Sequence, residues 1–176
     1  MIHDFINIDY LKNGNQIQRK SYKIIQKIEL FSILKDHKPI LTGTIPIDIN
    51  IEESDLDVIC EVNDFDSFRQ KVEKHFSEYD GFSYSGMMNR NDKECVTFNF
   101  FVDGMEIELY GENKPADQQN AYRHMLIEYH FLNKLGDDFK KKIIALKKAG
   151  LKTEPAFAKI LNLEGDPYEA LLNVQL

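Results

Sequence analysis

The sequence predicts an α+β fold, in which a mixed β-sheet is flanked by helices and closed by a C-terminal helical layer. Three observations carry the prediction. Short apolar segments of strand character (39–41, 56–62, 82–88, 95–102, 105–110) are interrupted by an amphipathic helical stretch at 65–76. From residue 118 onward the pattern is helical to the C-terminus. The composition is that of a globular chain: 176 residues, 43% hydrophobic, 29% charged, with only 9 Gly and 5 Pro. The length suits one domain, 1–176, with an α/β core over about 14–112 and C-terminal helices over about 118–176.

Each element has its own signal. Apolar residues from Ile17 to Leu34 recur at helical spacing, and Asp36-His37-Lys38-Pro39 ends the stripe because the residue before proline avoids the helical region. Pro39 to Leu41 reads as a short strand running into Thr42-Gly43-Thr44, and Leu56 to Val62 as a buried strand. Asn63 or Asp64 caps a helix over 65–76, whose apolar positions are 65, 68, 72 and 76. Two strands follow, Phe82 to Met88 and Cys95 to Val102. Asp103-Gly104 then signals a hairpin into Met105 to Tyr110. In the C-terminal part, Gly136 breaks one helix, Gly150 ends the next, Thr153 caps another, and Asp166-Pro167 opens a last short one.

The formal net charge of −7 disfavours non-specific binding to nucleic acid, so no non-specific DNA binding is expected. The charge is uneven: eight lysines between Lys134 and Lys159 face only Asp137, Asp138 and Glu154. That run reads either as a solvated helix face or as a basic wall beside an acidic site, suited to a polyphosphate or an RNA end. Cys60 and Cys95 sit among apolar residues, as small buried hydrophobes do. No stretch approaches the roughly 20 apolar residues of a membrane helix. The segment from Met1 to Tyr10 lacks the pattern of a secretory signal, so the expected location is cytoplasmic.

The chemistry concentrates between Gly43 and Asp57. Asp55 and Asp57 stand two apart at the mouth of an apolar strand. Both carboxylates therefore emerge on one face, about 7 Å apart along the backbone, while Leu56 faces the core. Such a pair repels itself unless a cation or a proton relieves it, and oxygen-only ligands favour a hard ion such as Mg²⁺. Gly43-Thr44 lies in a loop after a strand, where backbone amides and a hydroxyl can approach a phosphate, or where a tight turn simply closes. Met105 to Tyr110 places Glu106 and Glu108 on one strand face, a source of a third carboxylate or a solvent-facing edge.

A Gly-Thr loop, a spacer of about ten residues, an Asp-x-Asp opening a strand and a third acid on a later strand together resemble the nucleotidyltransferase (DNA polymerase β-like) superfamily. The segments GTIPIDINIEESDLDVIC, QQNAYRHMLIEY and KTEPAFAKILNLEGDPYEALL resemble a bacterial family assigned to that superfamily, distantly similar to the GrpB-like proteins. The resemblance implies a nucleotidyltransferase-like mixed sheet. It implies Mg²⁺ (or Mn²⁺) held by Asp55, Asp57 and Glu108, and a nucleoside triphosphate as substrate, contacted by Gly43, Thr44, Ser54 and Arg123. The reaction it implies moves a nucleoside monophosphate to a hydroxyl on a small molecule, a protein or an RNA end. The alternative is a non-catalytic nucleotide- and metal-binding regulator of the same fold, for example a toxin–antitoxin component. Glu108 is preferred to Glu106 because Ile107-Glu108-Leu109 is the centre of its strand. Glu replaces the more usual third Asp. Pro46 falls where many members begin a phosphate-facing helix, and Asp48 would repel a triphosphate if it pointed inward.

Other residues carry weaker signals. Arg123 could contact phosphate or pair with the acidic strand, and His124 could act as an acid or base or simply be capped. His124, Glu128 and His130 make a poor zinc set, because 128 and 130 project in different directions from a helix. Phe100 and Phe101 point to opposite sides of their strand, and Tyr84 or Tyr110 could stack on a base.

Overall fold

The computed structural model describes residues 4–90 and 93–175; Met1, with its two neighbours in the proposed signal-free segment, and the last residue lie outside them. A short 3₁₀ turn precedes α1 (Gln16–Lys27), followed by α2 (Leu30–Ile33), β1 (Ile40–Thr42), β2 (Leu56–Glu61) and α3 (Phe65–Phe76). Then come β3 (Ser83–Tyr84), β4 (Met88–Arg90), β5 (Lys93–Val102), β6 (Met105–Glu112), α4 (Asn120–Lys148), α5 (Thr153–Leu161) and α6 (Pro167–Leu172). The six-stranded sheet runs β1-β2-β6-β5-β3, with β4 also on β5. Among the described residues only β2 and β6 pair in parallel and the other pairs are antiparallel, so the sheet is mixed as expected.

Strand parity sorts the chain into two cores. Leu56, Val58 and Cys60 of β2 and Ile107 and Leu109 of β6 face α1, α2 and α3 in a cluster with Leu34, Phe68, Phe76 and Phe100. The opposite face, through Ile40 and Ile59, meets Met125, Phe139, Phe157 and Leu171 of the C-terminal helices. Both faces are covered, and β2 accordingly reads as a nearly continuous apolar run. Asp55 and Asp57 share the face under α4 to α6, which places the acids beneath a helical roof.

Several boundaries match the sequence reading. Asp64 caps α3 by accepting from the Ser67 amide at 3.0 Å, and Asp166 caps α6. The hairpin turns on Asp103 (φ 49°) and Gly104 (φ 72°), and both cysteines are buried free thiols. Others differ. The stripe from Ile17 to Leu34 is two helices, because Glu29 adopts a left-handed conformation (φ 51°) that turns Ile28, Leu30 and Leu34 together into the core. The expected strand at Phe82–Met88 is split into β3 and β4, both on β5. Gly136 (φ 74°) does break α4. Lys152, in extended backbone, takes the cap position before α5, so Thr153 is its first helical residue instead of its cap.

The segment after β1 is a turn, not the beginning of a helix: Asp48 and Ile49 amides donate back to Ile45 and Thr44. The N-terminus of α1 anchors it, with Gln18 donating to the carbonyls of Ile45 and Pro46 at 2.9 and 3.2 Å. Asp48 points to Lys140 and Asn15, so its charge is neutralised outside the site.

Candidate active site

A cavity of about 600 Å³ opens between the sheet and the roof of α4 and α5. Of the residues singled out from the sequence, Gly43, Thr44, Ser54, Asp55, Asp57 and Glu108 all line it. Arg123 is exposed on α4 and does not line it. Glu106 is also turned elsewhere: its carboxylate accepts from Asn99 at 3.1 Å and borders a separate, smaller cleft.

The sheet register builds the acidic centre. Asp57 of β2 stands directly beside Glu108 of β6, and on its other side β1 places Thr42 opposite Asp57. Immediately after Thr42 the chain turns at Gly43 (φ 77°), against the Asp57 carboxylate. A Cβ at position 43 would lie 2.1 Å from Asp57 Oδ2, so glycine is required both by its dihedral and by its neighbour. Beyond it, the Thr44 and Ser54 hydroxyls lie 3.2 Å apart, and Ser54 accepts from the Ile51 amide at 2.9 Å, closing the loop that leads to Asp55. Gly43→Ala is expected to cost about 1–3 kcal/mol of stability from backbone strain, with displacement of the Asp57 carboxylate in addition; chemical denaturation measures it.

The roof contributes a second set of charges. Glu128 and His124 of α4, Lys147 near its end, and Glu154 of α5 all line the cavity, and the first three are buried. Burial pushes the Asp57 carboxyl well above its ordinary range, and Asp55, Glu108 and Glu154 push it further, with Lys147 opposing. Glu128 is raised by burial and by Glu154, again against Lys147. Burial pulls Lys147 down to about 8, while Glu128, Asp57, Asp55 and Glu154 hold it up. Its ammonium donates to the Ile49 carbonyl at 3.0 Å. His124 makes a 2.9 Å contact through Nε2 with the Tyr168 carbonyl and lies 3.7 Å from Glu154.

Of these roof residues the sequence reading named His124 as a possible acid or base and Glu128 only within a poor zinc set, and it counted Lys147 and Glu154 only as members of the charge run. The lysine run turns out to be heterogeneous: Lys141 is exposed beside Asp138, Lys140 holds Asp48, Lys152 lines the cavity and Lys147 is buried in it. The signal available was helical phase. Phe139, Ile143 and Lys147 recur every four residues, as do His124, Glu128 and Leu132, and all six are buried. Tyr110 lines the cavity, whereas Tyr84 stacks on Phe98 in the other core. Phe100 is buried and Phe101 is 43% exposed, on opposite faces as expected.

The donor set fits a hard divalent ion. All the candidate ligands are carboxylate oxygens, one desolvated and crowded by like charges, an arrangement that a cation relieves. Among the described residues no three His, Cys, Asp or Glu side chains gather closely enough to chelate an ion unaided. Mg²⁺ does not require such a cage, since it is commonly held by one or two carboxylates together with substrate phosphates.

This architecture is the nucleotidyltransferase (DNA polymerase β-like) fold. The chain matches the Cid1 poly(U) polymerase bound to Mg 3′-dATP with a TM-score of 0.56, at 12% identity over 93% of this chain and 52% of that one. The polymerase core of the TRAMP RNA surveillance complex matches with a TM-score of 0.52, at 10% identity over 90% of this chain and 49% of that one. A cytoplasmic RNA terminal U-transferase gives 0.52, at 13% identity over 80% and 43%. The chain thus spans about half the length of these polymerases. By sequence it belongs to the family described as a domain of unknown function, DUF4269, whose model matches residues 23–174. Among curated proteins, none matches. No helix among the described residues is long and apolar enough to cross a membrane.

Proposed function

We propose that this protein transfers a nucleoside monophosphate from a triphosphate to a hydroxyl acceptor, using Mg²⁺ bound with the nucleotide. One observation carries the reading: Asp57 and Glu108 stand side by side on parallel strands directly under the Gly43 turn, with Asp55 on the same wall of one cavity. In this reading Asp55, Asp57 and Glu108 face the ion, and the substrate phosphates complete the coordination that the three carboxylates do not close by themselves. Bound Mg²⁺ supplies charge neutralisation at the attacking and leaving oxygens of an in-line displacement. The turn at Gly43 and the paired hydroxyls of Thr44 and Ser54 receive the β and γ phosphates, and Asp48, engaged by Lys140, does not repel them. Arg123 serves, in this reading, only a portion of the substrate that extends past the cavity. Glu108 accepts the proton of the attacking hydroxyl. The acceptor is a small molecule, a protein or an RNA end, and the fold neighbours include enzymes acting on RNA termini.

The test is pyrophosphate release from each triphosphate with Mg²⁺ across a panel of hydroxyl acceptors. Glu108→Gln is expected to lower the rate on the order of a hundredfold, and Glu106→Gln, bonded to Asn99 away from the cavity, to leave it within about threefold. The reverse ranking would make Glu106 the proton acceptor and overturn the assignment to Glu108. One observation favours a second reading, nucleotide sensing without transfer: Lys147 already places a cation among the acids. Triphosphate binding with no pyrophosphate release across the whole panel would mark the sensor.

A further inference from the structure

At the end of the cavity away from Gly43, two hydrogen-bond acceptors are buried without partners. Glu112, 4% exposed, spends Oε2 on the Tyr110 hydroxyl, which donates to it at 2.8 Å. Gln119, 1% exposed, donates through Nε2 to the carbonyls of Cys60 and Lys114 at 2.9 and 3.0 Å. Because carbonyl oxygens only accept, those two bonds fix the amide's orientation and leave its oxygen free. Among the described residues neither Glu112 Oε1 nor Gln119 Oε1 has a hydrogen-bond partner, and both side chains line the cavity. Lys93 lines the same end and Lys114 lies near enough to feel the Glu112 charge, yet neither ammonium bonds Oε1.

The large majority of buried acceptors in native proteins are satisfied by protein, water or a ligand, and two of them together on one cavity wall point to a ligand that donates. Glu112 follows Glu108 by four residues on β6, roughly 13 Å along the strand at about 3.3 Å per residue. That separation is comparable to the reach of a nucleotide from its phosphate to the edge of its base. Between the two ends Tyr110 on the sheet and Ala121 and Met125 on α4 supply apolar surface to the cavity wall.

We infer that this end of the cavity selects the base of the nucleotide by its exocyclic amino group, whose N–H bonds are received by Glu112 Oε1 and Gln119 Oε1. The inference rests on the nucleotide-binding reading above and adds to it a preference for an amino over a keto edge.

Glu112→Gln tests it with little change in shape. The Tyr110 hydroxyl, a donor, retains the new amide's oxygen, so its NH₂ takes the place of Oε1 and an acceptor becomes a donor. Binding is measured by calorimetry with Mg²⁺ for two pairs that exchange amino for keto, CTP against UTP and ATP against ITP. In the wild-type protein the amino member of at least one pair is expected to bind fivefold or more tightly, and in E112Q that preference is expected to vanish or reverse. Preferences below fivefold in both pairs, a keto preference in the wild type, or an unaltered preference in E112Q would each overturn the inference while leaving the proposed activity standing. Should E112Q fail to fold, the wild-type comparison decides alone. If no triphosphate binds at all, the inference falls with the reading beneath it.

Discussion

Asp57→Asn is expected to make the metal-free protein more stable and to abolish its response to Mg²⁺ with a triphosphate. The carboxylate is set in a desolvated wall beside Asp55 and Glu108, and all three influences oppose its ionisation. An amide of the same shape carries no charge to desolvate, and the gain expected is about 1–2 kcal/mol, or roughly 2–8 °C in melting temperature for a chain of this size. The pH dependence has a definite sign. In the unfolded chain the carboxyl ionises near 3.8, whereas in the folded protein it holds its proton to a much higher pH. The folded state therefore binds more protons across that window, and the carboxyl's contribution to stability falls as pH rises through the raised folded value. The advantage of asparagine should be absent below pH 3.8, where the aspartate is protonated in both states, and full above the folded value. In the proposed function a cation competes with the same proton, so the wild-type stabilisation by Mg²⁺ and triphosphate should grow as pH rises. Thermal melts of both proteins, with and without ligand, across a pH series are the measurement. An asparagine variant less stable at every pH, or one still stabilised by Mg²⁺ and triphosphate, would show that the carboxylate is not the strained cation ligand proposed.

The sheet half of this site was legible in the sequence because its spacings are local. Two aspartates separated by one apolar residue at a strand mouth must share a face, and a hairpin signal at Asp103-Gly104 fixes where the next strand begins. Even so, the pairing of Asp57 with Glu108 spans fifty-one positions and is set by the parallel register of β2 and β6, which no local pattern encodes. The break at Glu29 was not legible either: the apolar period continues through it, and a glutamate in left-handed backbone gives no compositional cue. The roof residues belong to a third kind. Glu128 and Lys147 occupy the buried phase of their helix, four residues from His124 and from Ile143. A charged residue at a core phase requires a buried partner, and that partner lies on another element. The sequence therefore announces that such a residue is constrained but not by what.

That constraint is strongest at Lys147, and Lys147→Met is expected to be the most destabilising of the substitutions considered. The methionine keeps the apolar stem but removes the charge opposing Asp57 and Glu128, and it leaves the Ile49 carbonyl without its donor. Losing one partner from a buried ionic cluster costs about 3–5 kcal/mol, so a fall in melting temperature on the order of 10 °C is expected. Adding Glu128→Leu should recover most of that loss, because the stranded carboxylate goes with it, and the two effects should be far from additive. The alkaline limb gives an independent check. Lys147 ionises at 10.5 when unfolded and at about 8 when folded, so between these values the unfolded chain holds more protons and this group's contribution to stability rises with pH. The methionine variant should lack that rise, and the difference between the two proteins should widen from pH 8 to 10.5. Chemical denaturation of the single and double variants over this range separates the possibilities. A single variant as stable as the wild type, or a double variant no better than the single, would mean that the acids stay protonated in the folded state and need no internal cation. The ammonium would then be free to meet phosphate rather than carboxylate, and the roof of the cavity would serve the nucleotide directly.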